Sequence, residues 1–212
     1  MSGRVIILNG GSSSGKTTLG RRLQGILPGS WLLVGIDHLL WTLPPRLYGD
    51  PDGITFTNGE VSVGSTFRSL SEGYRRAVAT LAAETADLVV DEVFVRGGDE
   101  QEEWRSVLGS AATLWVGVRC SPEEAERRNV ARGDRMHGLA LAQALSVHAG
   151  VTYDVEVDTE VLTTAQAATV VARLASERFG FVPLEADDDA LVVWRSAWPR
   201  GDGSAPSGPW ES

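Results

Sequence analysis

Lysine is almost absent from this chain. Lysine and arginine together account for 19 of its 212 residues, and Lys16 is the single lysine among them. Cysteine is just as scarce: Cys120 stands alone, so no intrachain disulfide can form. A chain without disulfides suits a reducing compartment, and we expect a cytoplasmic protein. Cys120 ends an apolar stretch, which indicates a core residue rather than a nucleophile.

Long apolar runs and basic surfaces are also missing. No apolar run approaches the ~20 residues that cross a bilayer, so we expect no membrane-spanning segment and no signal peptide. The net charge of −9 opposes binding to nucleic acid or anionic lipid, because both are polyanions. A hydrophobic content of 42% is enough for one α/β domain with a sizeable core. The expected partners are therefore small molecules, and a homo-oligomer stays an open possibility.

The single lysine lies in a glycine- and serine-rich segment. Residues 10–17 read GGSSSGKT, which fits the Walker A pattern G-x-x-x-x-G-K-[ST] without a mismatch. An apolar, β-branched run at 5–8 precedes it, and residues 17–27 follow with apolar positions at helical spacing. Backbone N–H groups of such a loop bind phosphate, and lysine adds a point charge. The segment is therefore predicted to bind a nucleoside triphosphate.

The phosphates are expected to contact the whole loop and the start of the helix. A glycine-serine turn that binds nothing is the alternative, and the strand–loop–helix order argues against it. The Thr17 hydroxyl is the expected ligand of Mg²⁺. The expected phosphate-binding residues are Gly10, Gly11, Ser12, Ser13, Ser14, Gly15, Lys16, Thr17 and Thr18.

Strand and helix patterns alternate along the chain, which predicts an α/β fold with a parallel sheet. An insertion at 44–65 interrupts them; Asn58-Gly59 between two alternating runs there favours a hairpin. Aromatic residues near this hairpin indicate either surface decoration or a wall of an acceptor pocket. Residues 1–180 form the predicted main domain, and 181–212 a partly mobile appendage. The predicted strands are 4–8, 31–36, 87–91, 113–118 and 153–157, and the predicted helices 17–27, 37–43, 66–86, 99–108, 122–130, 136–149 and 163–179.

Asp37 is the first polar residue after the second predicted strand. In open α/β sheets, ligands bind at the carboxyl edge, where this strand ends. A carboxylate there can accept the proton of a substrate hydroxyl during phosphoryl transfer. The alternative is that Asp37 caps the following helix. We favour the catalytic interpretation, and we interpret the neighbouring His38 as structural.

Asp91 ends the third predicted strand, after an apolar run that is typical of a Walker B element. We expect Asp91 to hold Mg²⁺ or to contact the acceptor, and Glu92 competes for the role. The sequence leaves open which carboxylate lies nearer the metal. Residues 94–98 follow at the same edge of the sheet, where they either line an acceptor pocket or simply turn the chain.

Four arginines crowd the segment 121–137, which we interpret as a lid. Arginines in such a lid neutralise the charge that develops on a transferring phosphoryl group. Arg132 and Arg135 are the favoured candidates. Arg127 and Arg128 have Glu123 and Glu124 four residues before them, which supplies a purely structural explanation for both.

These stretches resemble the chloramphenicol 3-O-phosphotransferase family over about residues 4–175. The matching segments are IILNGGSSSGK, VGIDHL, DEVFVRGG, LWVGVRC, ARGDR and HAGVTYDVEVDT. The resemblance implies a three-layer P-loop fold like that of nucleoside kinases, with a five-stranded parallel sheet of order 2-3-1-4-5 and helices on both faces. It also implies ATP and Mg²⁺, Asp37 as general base, and Arg132 and Arg135 in an ATP-contacting lid.

The resemblance implies an acceptor with a primary hydroxyl on a small, antibiotic-like molecule. Residues 39–64 depart from the family pattern, and Arg96 places a cation where an apolar side chain is expected. We therefore expect an ATP-dependent kinase of a chloramphenicol-type acceptor, with a role in resistance or self-protection. The alternatives are a kinase of another metabolite or nucleotide, and a nucleotide-binding module without catalysis.

Overall fold

The strands form one parallel sheet and one separate hairpin. A computed structural model describes residues 3–57, 60–132 and 139–184. The sheet has the order β2-β5-β1-β6-β7, which is 2-3-1-4-5 when the hairpin strands β3 and β4 are left out, so the expected order is confirmed. The strands are β1 (Val5–Asn9), β2 (Trp31–Gly35), β3 (Ile54–Thr57), β4 (Glu60–Val63), β5 (Asp87–Glu92), β6 (Thr113–Arg119) and β7 (Val155–Asp158).

Helices cover both faces of the sheet, which confirms the three-layer arrangement. Helices α1 and α7 pack on one face, and helices α3 and α4 pack on the other. The helices are α1 (Lys16–Ile26), α2 (Ile36–Thr42), α3 (Ser65–Glu84), α4 (Gly98–Leu108), α5 (Pro122–Arg132), α6 (Leu139–Ser146) and α7 (Thr164–Phe179). Among the described residues, no helix is long and apolar enough to cross a membrane.

Most elements are shifted by one or two residues from the predicted bounds, and two of the differences have a clear structural cause. The last strand begins at Val155 rather than at residue 153, because the Asp154 carboxylate accepts the backbone N–H of Trp115 (2.8 Å) in place of a strand partner. Helix α6 ends at Ser146 in a turn closed by the Ala149 N–H, although the pattern predicted a helix to 149. Residues 136–138 of that predicted helix lie outside the described residues.

Side chains along each central strand alternate between the two faces of the sheet. Val89 of β5 packs against α1 and α7, whereas Leu88 and Val90 pack against α3 and α4. The same alternation directs the next two side chains, Asp91 and Glu92, to opposite faces. The two adjacent carboxylates therefore lie on different faces of the sheet, Asp91 on the face of α1 and α7 and Glu92 on the face of α3 and α4.

The predicted hairpin is present as the antiparallel pair β3–β4, whose turn at 58–59 lies outside the described residues. Its apolar side packs on a small separate cluster that includes Leu43, Ile54 and Phe67. On the far side of the domain, the described end of the chain packs back, because the Leu184 N–H donates to the Ile26 carbonyl (2.8 Å).

Strand β2 lies so close to β5 that Gly35 has no room for a side chain. A Cβ at Gly35 would lie 2.5 Å from the Asp91 carbonyl oxygen. We expect Gly35→Ala to lower the free energy of unfolding by about 1–3 kcal/mol, because the two strands must separate. Gly25→Ala is the matched control: a Cβ there meets nothing within 4 Å, and the helix should gain about 0.5–1 kcal/mol. Urea unfolding followed by circular dichroism measures both; equal effects would contradict the close approach.

Candidate active site

The glycine- and serine-rich loop connects β1 directly to α1, as the pattern predicted. Gly15 has a φ of 92°, in the left-handed region that favours glycine, and α1 starts at the next residue. The Lys16 side chain is only 6% exposed, and its Nζ donates to the Gly11 carbonyl at 2.8 Å. The amine therefore lies over the loop at the N-terminus of a helix, where backbone N–H groups and the helix dipole favour an anion.

The serine hydroxyls of the loop fit phosphate. The Oγ atoms of Ser12, Ser13 and Ser14 are buried and have no hydrogen-bond partner among the described residues. Buried polar groups in proteins are nearly always paired, so three adjacent exceptions indicate a ligand rich in oxygen atoms. The backbone N–H of Ser12 is held separately by Gln143 Oε1 of helix α6 (2.9 Å).

Asp91 faces the loop, and Glu92 does not. The Thr17 hydroxyl donates to Asp91 Oδ2 at 2.5 Å, and Lys16 Nζ lies 3.9 Å from Asp91 Oδ1. Mg²⁺ in phosphotransfer sites takes one or two protein oxygens and completes its shell with phosphate and water. The Thr17–Asp91 pair fits this requirement. No cluster of three or more His, Cys, Asp or Glu that could hold a metal alone occurs in the described part of the chain.

Asp37 lies in the first turn of α2, at the carboxyl edge of the sheet. Gly35 occupies the capping position of this helix, so the alternative that Asp37 caps it is wrong. Gly35 pairs in register with Asp91, and Asp91 with Leu8, so the ends of β2, β5 and β1 lie side by side. Nδ1 of His38 accepts the Gly35 N–H (3.1 Å), which agrees with a structural role for His38.

A cleft of about 110 Å³ opens beside Asp37. Helices α2 and α3, the hairpin and the segment after β5 enclose it. The hairpin therefore forms a wall of this cleft, and residues 93, 95 and 96 line it as well, so both segments border a cleft at this edge of the sheet. Trp41, by contrast, is 77% exposed and outside the lining. The lining side chains that matter below are Asp37, Phe56, Val61, Phe67, Ser71 and Glu92.

The charged groups around the cleft are mostly paired. Arg96, the unexpected cation, bonds both carboxylate oxygens of Glu103 (2.7 and 2.8 Å) and lies 3.5 Å from Glu100. Arg75 bonds Glu103 as well (2.7 Å). Burial and the nearby carboxylates of Glu100 and Asp91 raise the pKa of Glu92 well above its usual range. The positive charge of Arg96 is therefore neutralised by Glu103 and Glu100, and Arg96 forms part of the cleft wall.

The structure describes only part of the predicted lid. Helix α5 ends at Arg132, of which the structure describes the backbone alone, and Arg135 lies outside the described residues. Arg127 and Arg128 both bond Glu124 (2.6 and 2.7 Å), so Arg127 uses the carboxylate three residues before it rather than Glu123. Their hydrogen bonds lower the pKa of Glu124 to about 2. The structural interpretation of this pair agrees with the geometry.

Thr159, which the sequence did not single out as a site residue, secures the loop from the other side. Its hydroxyl donates to the Ser14 carbonyl (2.8 Å), and its methyl group faces Gly15. Arg128 in turn donates to the hydroxyl and the carbonyl of Thr159, both at 2.9 Å. Thr159 lies inside a segment that resembles the family, and this position was the available signal in the sequence that it belongs to the site.

Asn9 is a second residue that the sequence reasoning missed. Its amide donates to the Val147 carbonyl (2.8 Å) and to the Tyr153 hydroxyl (2.6 Å), and its carbonyl accepts the Phe94 N–H (2.9 Å). It thus joins three segments at the carboxyl edge. A polar residue at the end of an apolar strand was the signal for it. Nδ1 of His148 bonds the same Tyr153 hydroxyl (2.6 Å), so His148 has a structural role.

A phosphate-binding loop between the first strand and helix, with a carboxylate on the adjacent strand, defines a P-loop phosphotransferase of the kinase type. Comparison with known proteins identifies its family. The profile of the family described as chloramphenicol phosphotransferase-like protein matches residues 3–176, and the chain belongs to that family. "Putative O-phosphotransferase Rv2636" from Mycobacterium tuberculosis H37Rv is 30% identical over 192 residues, which cover 82% of this chain and 80% of the relative.

Solved structures show the same fold. The APS kinase CysC of Mycobacterium tuberculosis, in complex with AMPPNP and APS, superposes with a TM-score of 0.58 at 17% identity, covering 82% of this chain and 98% of that one. Shikimate kinase from Acinetobacter baumannii, in complex with shikimate, gives 0.53 at 16% identity, covering 83% and 94%. The resemblance stated from the sequence is confirmed at the level of family, fold and kinase-type chemistry.

The buried His148 makes folding depend on pH. Burial, together with the nearby charge of Arg119, lowers the pKa of His148 to about 4. The unfolded chain, with an ordinary pKa of about 6.5, then binds the proton more readily between these values. We expect the free energy of unfolding to fall from pH 6.5 to pH 4, by up to about 3 kcal/mol from this residue. Urea unfolding measured at intervals from pH 4.5 to 7 tests this. His148→Gln should flatten the slope; an unchanged slope would contradict the assignment.

Proposed function

We propose that this protein transfers the γ-phosphate of ATP to a hydroxyl group of a small, antibiotic-like molecule of the chloramphenicol type. One observation carries the proposal: the phosphate-binding loop and the cleft with Asp37 meet at the carboxyl ends of three strands in register. Donor and acceptor would thus lie side by side, which is the main requirement for phosphoryl transfer.

In the proposed reaction, the acceptor hydroxyl oxygen attacks the γ-phosphorus. A new oxygen–phosphorus bond forms, the bond to the β–γ bridging oxygen breaks, and ADP leaves with that electron pair. The hydroxyl proton passes to the carboxylate of Asp37. Lys16 holds the β- and γ-phosphates, and Arg132 and Arg135 of the lid neutralise charge that develops during the transfer.

Mg²⁺, held by Thr17 and Asp91, would supply charge neutralisation on the phosphate oxygens. The hydrogen bond between Thr17 and Asp91, which holds the two oxygen atoms close together, supports this assignment. The loop hydroxyls and amides then orient the triphosphate.

The shape of the cleft supports an acceptor with an apolar body. The apolar side chains of Phe56, Val61 and Phe67 line the cleft together with Asp37. Such a surface suits an aromatic or branched small molecule better than a highly charged one. Phosphorylation would inactivate an antibiotic by adding charge, which is the proposed resistance or self-protection role.

Asp37→Asn tests the proposed base. We expect phosphotransfer to fall by at least about 100-fold in kcat, because the amide cannot accept the hydroxyl proton, while ATP affinity is unchanged. Asp99→Asn is the matched control, since Asp99 lies in the first turn of α4 just as Asp37 lies in the first turn of α2. ADP release is measured against a panel of hydroxyl-bearing antibiotics, starting with chloramphenicol, and metabolites. Parental activity in Asp37→Asn would exclude the role.

Lys16→Arg tests why the chain keeps a single lysine. The buried position leaves little room for a planar guanidinium, so we expect Lys16→Arg to lose at least about 10-fold in kcat/KM although the charge is kept. Arg76→Lys, on an exposed ion pair with Glu72, is the control and should be silent. Steady-state kinetics with varied ATP measure the effect. Full activity of Lys16→Arg would show that only the charge matters.

A further inference from the structure

Two buried polar side chains in the cleft each have an oxygen atom without a hydrogen-bond partner among the described residues. Ser71 of α3 is 6% exposed and Glu92 at the end of β5 is 5% exposed. Ser71 Oγ and Glu92 Oε1 make no hydrogen bond with any described residue. Both side chains line the cleft beside Asp37. Burial of polar atoms without partners destabilises a fold, so their retention at one place requires an explanation.

Other buried side-chain atoms of the described residues also have no partner, among them the Tyr74 hydroxyl of the same helix, but Ser71 and Glu92 are the two that line the cleft. In the adjoining region, Gln101 exchanges two hydrogen bonds with the Thr152 backbone (2.7 and 2.9 Å), and Arg75 bonds Glu103. Several polar groups around α3 and α4 are thus paired. Ser71 and Glu92 differ from these neighbours in facing the space that an acceptor would fill.

Their position complements that of the reacting groups. Asp91 and Glu92 are consecutive in β5, so Asp91 meets the phosphate-binding loop while Glu92 meets the cleft on the other face. A hydroxyl group can donate one hydrogen bond and accept another, which matches a hydroxyl and a carboxyl group presented together. The lining of the cleft also includes the apolar side chains of Phe56, Val61 and Phe67, which suit the body of the molecule.

We propose that Ser71 and Glu92 form a polar subsite that binds a second, non-reacting hydroxyl of the acceptor. The inference rests on the proposed phosphotransfer and narrows its acceptor to diols, with one hydroxyl at Asp37 and another at Ser71 and Glu92. The subsite selects against mono-alcohols, because an acceptor without the second hydroxyl leaves both buried groups unpaired.

Stability without any acceptor gives the first test. Ser71→Ala removes a hydroxyl that has no partner, and Glu92→Leu removes a buried carboxyl group whose Oε1 has none, so the unfolding temperature should stay unchanged or rise by about 2–4 °C. Glu103→Leu is the matched control: it removes a paired carboxylate and leaves the buried Arg75 without it, so the temperature should fall. A fall for Ser71→Ala and Glu92→Leu comparable to that of Glu103→Leu would overturn the subsite.

Kinetics with paired acceptors give the second test. The probes are chloramphenicol, a 1,3-diol, and its analogue lacking the secondary hydroxyl. We expect Ser71→Ala and Glu92→Leu each to raise KM for chloramphenicol at least about 10-fold, with Glu92→Gln intermediate because its amide can still bond a hydroxyl. KM for the deoxy analogue should change little. Equal effects on both probes would overturn the subsite.

The two tests separate the subsite from the proposed function. If the wild-type protein phosphorylates neither probe nor any panel member, the proposed function fails, and the unfolding temperatures still decide whether Ser71 and Glu92 are held for a ligand. If a mono-alcohol in the panel is phosphorylated with the same kcat/KM as the corresponding diol, phosphotransfer stands and the subsite is overturned.

Discussion

The parallel register of β2, β5 and β1 is the constraint on which the rest of the structure depends. Gly35, Asp91 and Leu8 lie side by side across these strands, and the absence of a side chain at Gly35 lets β2 approach β5 closely. The register brings the loop after β1, the carboxylate of β5 and the first turn of α2 to one edge. Each functional side chain takes its position from this backbone arrangement, and the hydrogen bond between Thr17 and Asp91 joins the loop to the sheet.

The two-residue period of β5 divides the site into two chemical environments. Asp91 enters the compartment of the phosphate-binding loop, which is polar, rich in backbone N–H groups and adjacent to Lys16. Glu92 enters the cleft, where burial and the nearby carboxylates of Glu100 and Asp91 raise its pKa. Two neighbouring carboxylates thus meet different surroundings without any irregularity in the backbone. A single strand can in this way serve both the donor and the acceptor of a transfer reaction.

The loop and the location of Asp37 could be predicted because each depends on local pattern or on general rules of parallel sheets, whereas the order of the strands followed from the family resemblance. Lys16 needed only its neighbours in sequence, and Asp37 needed only the end of a strand. The partners of Asn9 and Gln143 could not be found this way, because they lie 138 and 131 residues away in the chain. The two-residue error in β7 has the same origin, since the Asp154 carboxylate bonds a neighbouring strand. Pairing between distant segments is decided by packing, which local periodicity does not contain.

The central claim is that donor and acceptor meet where the loop at Lys16 adjoins the cleft at Asp37. A crystal structure of the protein with Mg²⁺ and the non-hydrolysable analogue AMPPNP tests it most directly, and it requires no knowledge of the acceptor. The geometry predicts that the triphosphate lies along residues 10–17 with its γ-phosphate at the opening of the cleft. A nucleotide bound elsewhere, or a γ-phosphate directed away from Asp37, would contradict the claim.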